Sequence, residues 1–415
     1  MRRGWFAPKL WQGCHTARKR LRVTHRNTLV DKVLGLEPRR TPFAHSAPIV
    51  KTSVQHAQWL LGLLWEPDAA VHGLPLPELD WDLLLRVARP NGVLVRTAER
   101  LAAQGVTVPD RFAAAVAQER QRIRSALELM RHVSLACEAH GITFLFPKAF
   151  QDYPDFGDDV DLLVLPRSIR VDSAIVGALP ATPVTRDLGE RLAGATTYRV
   201  AACPTSLDVQ HGRLGIVGEY GAFPSMLIQH ARRSQIGGME VAIPRPEDQL
   251  VLQGMQRIAG RLRIALCDII FTVSTVRRTA LDWDYVIATA TEHAALPGLA
   301  CYLDYVNQIH QDVCGGPLLP DAVGRSLRLH GWGRMAFRDG SYRLPIVRAN
   351  SRLSWRQLRH RIGRGDWAGA GRLCLLPLVA AARLIGRLTR TPERPSASRS
   401  GGVRTKPLAH VGVGE

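Results

Sequence analysis

The stretch of sequence that decides the fold is ITFLFPKAFQDYPDFGDDVDLLVLP, residues 142–166. Its second half places Asp159 and Asp161 one residue apart at the start of an apolar run. Because side chains alternate along a strand, the two carboxylates are expected to share one face, with Val160 on the other. The apolar run predicts a strand buried on both faces, where two adjacent carboxylates are unfavourable without a cation between them. The pattern therefore predicts a site for a hard divalent cation such as Mg²⁺, which prefers oxygen ligands.

A third aspartate supports this prediction. The segment TYRVAACPTSLDVQH, residues 197–211, predicts two short strands joined at Pro204, with Asp208 inside the second. If this hairpin lies beside the first strand, three aspartates could ligate two metal ions and activate an incoming hydroxyl. Two alternatives stay open. Gly-Asp-Asp is ordinary turn chemistry, and Asp208 could instead pair with Arg199 or Arg213.

The order of these motifs resembles the uncharacterised bacterial nucleotidyltransferase family that shares the fold of the DNA polymerase beta superfamily. In that family a strand ending in Lys-Gly precedes an Asp-x-Asp strand, and a later strand carries a third Asp. Here GITFLFPK (141–148) matches the first strand, DVD (159–161) the second and SLDV (206–209) the third. The resemblance covers the central part of the chain and includes a helical region that begins near PEDQL (246–250).

The resemblance implies a reaction and a set of site residues. The reaction is transfer of a nucleoside monophosphate from a nucleoside triphosphate such as ATP to an acceptor, with Mg²⁺ or Mn²⁺ as cofactor. Asp159 and Asp161 would bridge a metal to the triphosphate, and Asp208 would act as a further ligand or as the base. Lys148 and Ala149 would contact the phosphates, although this chain has Ala where the family has Gly. A Lys148 side chain that simply reaches solvent is the alternative.

The predicted fold class is α+β, with a small mixed nucleotidyltransferase-type sheet flanked by helices, a C-terminal helical part and basic, partly disordered ends. The chain is long enough, at 415 residues, to bury a large core. In chain order, the expected regions are a basic arm (1–56), a helical region (57–140), the nucleotidyltransferase-like core (141–245), a second helical region (246–325) and a basic tail (326–415).

The net charge of +19 is concentrated at the two ends of the chain. Residues 1–60 contain 12 Lys and Arg against 2 acids, and residues 325–415 contain 19 against 4. The remaining central part contains 24 basic and 30 acidic residues. A mildly acidic core relies on metal to attract a triphosphate, whereas the basic ends are predicted to contact RNA or an anionic membrane.

Other chemistries lack their sequence signatures. The seven cysteines include no Cys-x-x-Cys pair and suit a reducing cytoplasm, and neither a Walker motif, a secretory signal nor a transmembrane anchor is expected. The predicted location is cytoplasmic, with peripheral membrane contact through the basic ends. The acceptor is a small molecule, glycan, protein or RNA. A catalytically idle fold that serves as a binding or scaffold module is the competing hypothesis, favoured by Ala149 and the basic ends.

Further expectations concern single residues. Arg120, Arg122 and Arg124 are predicted to be solvated positions of a long helix. Asp268, an acid in an apolar helical run, is predicted to pair with Arg261 or Arg263. His211, three residues after Asp208, is predicted to be an ordinary polar edge residue.

A helix over 226–233 is expected to precede a hairpin over 236–244 that turns at Gly237-Gly238.

Overall fold

The structure is a computed structural model. It describes residues 46–65, 79–148, 153–165, 171–201, 203–261, 263–327, 335–338, 340–344 and 346–389. Most of the predicted basic arm, the predicted phosphate contact Ala149 and the last residues of the predicted tail therefore lie outside the described part. Residues Ile49–Glu415 form one compact unit, to which all of the following description applies.

A mixed five-stranded sheet forms the centre of the fold. Its strands are β1 (Phe144–Leu145), β2 (Asp159–Val164), β3 (Ala181–Pro183), β4 (Ala195–Val200) and β5 (Ser206–His211). They lie side by side in the order β1-β2-β5-β4-β3. Strands β2 and β5 run parallel, while every other neighbouring pair in this sheet is antiparallel. This arrangement, flanked by helices, confirms the predicted α+β class.

Helices precede the sheet. They are α1 (Ser46–Trp65), α2 (Trp81–Ala88), a 3-10 turn (Arg89–Asn91), α3 (Leu94–Ala103) and α4 (Asp110–Ala139). The long helix α4 buries an apolar stripe that includes Ile123, Met130 and Val133 against the sheet. Gly141 follows this helix with a φ of 64°, a left-handed conformation that glycine adopts without strain and that turns the chain into β1.

Shorter elements connect and extend the strands. Helix α5 (Val171–Ala178) leads to β3, and α6 (Leu188–Ala193) leads to β4. Helix α7 (Phe223–Gln229) precedes the hairpin of β6 (Arg232–Ile236) and β7 (Met239–Ile243). The Phe146 amide donates to the Ala242 carbonyl at 3.0 Å, which attaches this hairpin beside β1.

The hairpin turn at Gly237-Gly238 is confirmed, with φ values of 57° and 80°. The helix expected over 226–233 is wrong at its C-terminal end, because the chain leaves the helix after Gln229 and Arg232 pairs with Ile243. Pairing with the second strand overrides the local helical pattern.

The helical C-terminal part begins with α8 (Pro246–Gln253), a π-helical segment (Gly254–Arg261) and strand β8 (Arg263–Ile264). Four helices follow, namely α9 (Leu266–Arg278), α10 (Trp283–Glu292), α11 (Leu296–Cys314) and α12 (Asp321–Leu327). Two further strands, β9 (Ala336–Arg338) and β10 (Ser341–Arg343), form a small sheet with β8. The last helices are α13 (Ile346–Gly363), α14 (Trp367–Cys374) and α15 (Leu376–Thr389).

The buried apolar residues divide into two clusters. One packs α4 and α5 against the central sheet and contains Phe146, Phe156 and Leu162. The other contains residues from α1 to α3, from α7 to α13 and from the small sheet, and includes Tyr302 and Tyr342. Among the described residues, no helix combines the length and the apolar character that crossing a bilayer requires. The regional boundaries expected from the sequence stay predictions.

Candidate active site

The structure brings together the three aspartates that the sequence singles out. One carboxylate oxygen from each of Asp159, Asp161 and Asp208 lies within 4.8 Å of the other two. Asp161 is 1% exposed, and the other two are partly buried. Three acids at this spacing form a group that could hold a metal ion.

The strand geometry explains why these side chains meet. Asp159 and Asp161 begin β2 and face the same side of the sheet because strand side chains alternate. In the parallel pairing of β2 with β5, Asp161 lies opposite Asp208. A shift of one residue in this register would turn Asp208 to the other face, so the pairing itself positions the third acid.

Burial and mutual repulsion penalise negative charge in this group. Burial, together with the charges of Asp159 and Asp208, raises the pKa of Asp161 to about 7, against the opposing effect of the Lys148 ammonium. Burial and the Asp159 carboxylate also raise the pKa of Asp208, although a hydrogen bond from Thr197 opposes the rise. The buried Oδ1 atom of Asp208 has no hydrogen-bond partner among the described residues. The site therefore favours the binding of a cation.

Lys148 supplies one positive charge to the acidic group. Its Nζ atom lies 2.8 Å from Asp161 Oδ2, and its side chain is only 14% exposed. The alternative in which Lys148 simply reaches solvent is wrong, because the ammonium turns inward toward the buried carboxylate. One ammonium cannot neutralise three carboxylates, so the group keeps room for a further cation.

Two polar neighbours that the sequence analysis did not identify support the acids. Gln210 Nε2 donates to Asp161 Oδ1 at 3.3 Å, and Thr197 donates to Asp208. Gln210 lies two residues after Asp208 on the same strand, so the alternation of side chains could have placed it on the same face. Thr197 lies opposite Asp208 on β4, a pairing that the sequence alone does not specify.

The loop before β2 is fixed at two points. Asp155 is 1% exposed and accepts hydrogen bonds from the Val95 amide at 2.7 Å and from Arg96, at the N-terminus of α3. Arg122 of α4 donates to the carbonyl oxygens of Phe156 and Gly157. The prediction that Arg122 is a solvated helix position is therefore wrong, because the Arg122 guanidinium donates hydrogen bonds to the loop before β2. Arg120 and Arg124 are exposed, as expected.

A cleft with a volume of about 330 Å³ opens beside the acids. Its facing wall contains an ion pair between Arg257 and Asp268, with a nitrogen to oxygen distance of 2.7 Å. Asp268 was expected to pair with Arg261 or Arg263. The ion pair that the structure shows is with Arg257 of the π-helical segment, while the Arg261 side chain lies outside the described residues. Arg263 donates to the Pro90 carbonyl at 3.0 Å.

The cleft is rich in basic side chains. Besides Lys148 and Arg257, its walls include Arg89, Arg122 and Arg263. Arg89 donates to Gln118 at 3.2 Å on the exposed side. Together with the carboxylates of Asp159, Asp161, Glu119 and Asp268, these cations give a cleft of mixed charge, which suits a metal-bound polyphosphate.

Two other sequence-based alternatives can be examined directly. Among the described residues, Asp208 makes no ion pair with Arg199 or Arg213. His211 lies at the far end of β5, where its Nε2 atom is 3.6 Å from Asp172, and burial lowers its pKa. His211 is thus a polar edge residue and contributes nothing to the acidic group.

Comparisons with known proteins assign the family. A search of curated proteins finds no significant match to this chain. A family model described as "Uncharacterised nucleotidyltransferase" matches residues 77–311, a span that contains all three aspartates and the cleft wall from Arg89 to Asp268. Because this match covers more than half of the sequence, the chain belongs to that family of uncharacterised nucleotidyltransferases.

Proposed function

We propose that the protein is a metal-dependent nucleotidyltransferase that moves a nucleoside monophosphate from a nucleoside triphosphate to a hydroxyl-bearing acceptor. The observation that carries this proposal is the convergence of Asp159, Asp161 and Asp208 within 4.8 Å at the edge of a cleft. The same convergence, on two parallel neighbouring strands, supports placing the chain in the DNA polymerase beta superfamily.

The residues present fit a divalent metal ion. All three ligands offer oxygen, which Mg²⁺ and Mn²⁺ prefer, and the Oδ1 atom of Asp208 is buried without a hydrogen-bond partner among the described residues. When bound, the ion would polarise the phosphoryl oxygens and lower the pKa of the attacking hydroxyl.

The side chains around the acids have separate proposed roles. Asp159 and Asp161 hold the metal, while Asp208 completes the ligand set and accepts the proton of the acceptor hydroxyl. The hydroxyl oxygen forms a bond to the α-phosphorus as the bond to the bridging oxygen breaks, and pyrophosphate leaves. Lys148 and Ala149 are proposed to contact the triphosphate, with Lys148 exchanging its carboxylate partner for a phosphate oxygen when metal neutralises Asp161.

The basic walls of the cleft support the same proposal. Arg89 and Arg263 line the same cleft as Lys148 and the acidic group. Guanidinium groups bind phosphate oxygens in pairs of parallel hydrogen bonds, which would orient the leaving pyrophosphate. The volume of about 330 Å³ lies at the small end of the range for ligand pockets.

Label transfer tests this function. The protein is incubated with each nucleoside triphosphate labelled at the α-phosphate, with Mg²⁺ or Mn²⁺, and with pools of small molecules, glycans, proteins and RNA as acceptors. We expect labelled product and pyrophosphate in one combination, and a decrease of about 10²–10⁴-fold in Asp208→Asn, the usual contribution of a general base.

The control is the folded state of the variant, measured by circular dichroism. Nucleotide binding without transfer to any pool would support the idle binding module instead. Transfer at the wild-type rate in Asp208→Asn would contradict the role of the third acid.

A further inference from the structure

A second cavity, with a volume of about 520 Å³, lies at the other end of β5. It opens among the loop 212–222, the end of α10 and the helices α13 and α14. Arg213 at its edge follows Asp208 by five residues, a chain length that spans up to about 17 Å when extended. Its α13 and α14 walls lie outside the residues that match the family. The cavity is therefore separate from the acidic site.

The walls of this cavity carry more cationic than anionic side chains. The guanidinium groups belong to Arg213, Arg361, Arg364 and Arg372, and the carboxylates to Glu219, Glu292 and Asp366.

Two of these carboxylates already have partners within the fold. Asp366 pairs with Arg361 and accepts a hydrogen bond from the Gly369 amide at 2.9 Å. Glu219 is 2% exposed and accepts one from the Val217 amide at 3.0 Å, turned into its own loop. Both carboxylates thus have partners within the fold, although their charges also act on Arg372.

Two arginines have no acidic partner. Among the described residues, Arg213 and Arg364 make no side-chain hydrogen bond or ion pair, and both are exposed. Arg372 donates to the carbonyl oxygens of Leu192 and Gly218 at 3.2 and 3.3 Å. Burial and the nearby charge of Arg213 lower the pKa of Arg372. Like charges held this close indicate a place where an anion would relieve repulsion.

The cavity wall also contains buried nitrogen atoms without partners. Arg361 is 6% exposed, and its Nε atom makes no hydrogen bond with any described residue. The same holds for the buried Nε2 atom of His360. Buried polar atoms are normally hydrogen-bonded, so two unpartnered nitrogens on one wall point to a missing acceptor.

We propose that this second cavity binds a small soluble phosphate monoester through Arg213, Arg364 and the buried edge of Arg361. A phosphate group offers several acceptor oxygens and up to two negative charges, which matches three guanidinium groups. The cavity volume leaves room for a small carbon skeleton beyond the phosphate. The ligand would thus bind at a position distinct from the nucleotide, either as the phosphate group of a second substrate or as an effector.

Phosphate binding in the absence of metal tests this proposal. Thermal unfolding of the full chain is followed in EDTA at constant ionic strength, with increasing inorganic phosphate or glycerol phosphate as probes. Ligands that bind the native state raise its stability, so we expect a saturable increase in Tm. The double variant Arg213→Gln/Arg364→Gln should weaken apparent affinity at least tenfold, with its Tm in the absence of phosphate unchanged because both side chains are exposed.

Two controls separate this site from other anion effects. Arg352→Gln/Arg359→Gln removes the same two charges from exposed positions of α13 outside the cavity and should respond like wild type. Asp159→Asn/Asp161→Asn should also keep the phosphate response, whatever happens to nucleotidyl transfer. No saturable response in wild type, or equal responses in all variants, would overturn the proposal. Preferential binding to phosphatidate vesicles over the soluble monoesters would contradict a soluble ligand.

Discussion

Asp161 is the most deeply buried carboxylate of the acidic site. It is almost fully buried, lies 2.8 Å from the Lys148 ammonium, and has two further carboxylates within 4.8 Å. Its ionised form is therefore favourable only in the presence of additional positive charge. The dependence of the free energy of unfolding on pH should show this preference in the absence of any substrate.

Without metal, we expect the protein to lose stability as the pH rises through 7. The pKa of Asp161 rises from 3.8 to about 7 on folding, so the folded chain holds this proton more tightly. The resulting stabilisation is complete below the unfolded value and disappears as the pH passes the folded one. One pKa unit corresponds to about 1.4 kcal/mol, so a rise of about three units contributes on the order of 4 kcal/mol.

Urea denaturation in EDTA at pH 5 to 8 measures this effect. Asp161→Asn should remove most of the decline, because the amide does not titrate. Saturating Mg²⁺ should also remove it in wild type, since a bound cation favours the ionised carboxylates. If the free energy of unfolding depended on pH in the same way in wild type and in Asp161→Asn, the pKa of Asp161 would not be raised by folding.

At the scale of elements, the loop before β2 depends on α3 and α4 for its position. Arg122 of α4 donates to the Phe156 and Gly157 carbonyls, and Asp155 accepts from the start of α3. Both anchors act on the backbone just before Asp159. The orientation of Asp159, the first proposed metal ligand, is thus set by residues of two helices outside the acidic group.

Arg122→Ala should therefore weaken nucleotide and metal binding by about tenfold, within the range typical for residues that orient ligands. The fold should persist, because Asp155 still holds the loop. Arg124→Ala on the exposed face of α4 is the matched control and should bind like wild type. Calorimetric titration measures both variants, and unchanged affinity in Arg122→Ala would contradict the positioning role.

At the scale of the whole molecule, the described residues after Met335 are integrated into the core. Strand β10 pairs with β8, and Tyr342, Leu344 and Leu353 belong to the large helical cluster. Trp355 on the outer face of α13 is instead 60% exposed. The strongly basic composition of this region is therefore compatible with a folded position in the protein.

Tyr342→Ala should lower the free energy of unfolding by about 3 kcal/mol, since it removes a buried aromatic side chain. Trp355→Ala removes a larger but exposed ring and should change the free energy of unfolding by less than about 0.5 kcal/mol. Guanidinium denaturation measures both. A small effect of Tyr342→Ala would show that the C-terminal segment is not part of the stable core.

Local patterns predict some features of this protein and miss others. Alternation along strands was sufficient to place Asp159 and Asp161 on one face, and turn chemistry identified the Gly237-Gly238 hairpin. The ion pair of Asp268 with Arg257 could not be predicted, because Arg257 lies in a π-helical segment that the local pattern does not indicate. The role of Arg122 likewise depends on a loop more than thirty residues away. Such contacts depend on long-range packing, which the local patterns of a single sequence do not reveal.

Calorimetric titration with a non-hydrolysable α,β-methylene nucleoside triphosphate tests most directly whether the three aspartates form a metal-dependent nucleotide site. We expect wild type to bind one of the four nucleoside triphosphates only with Mg²⁺ or Mn²⁺, and we expect Asp159→Asn/Asp161→Asn to weaken this binding at least tenfold. Binding of equal strength in EDTA, or full binding in the folded double variant, would contradict a metal-dependent nucleotide site at the three aspartates.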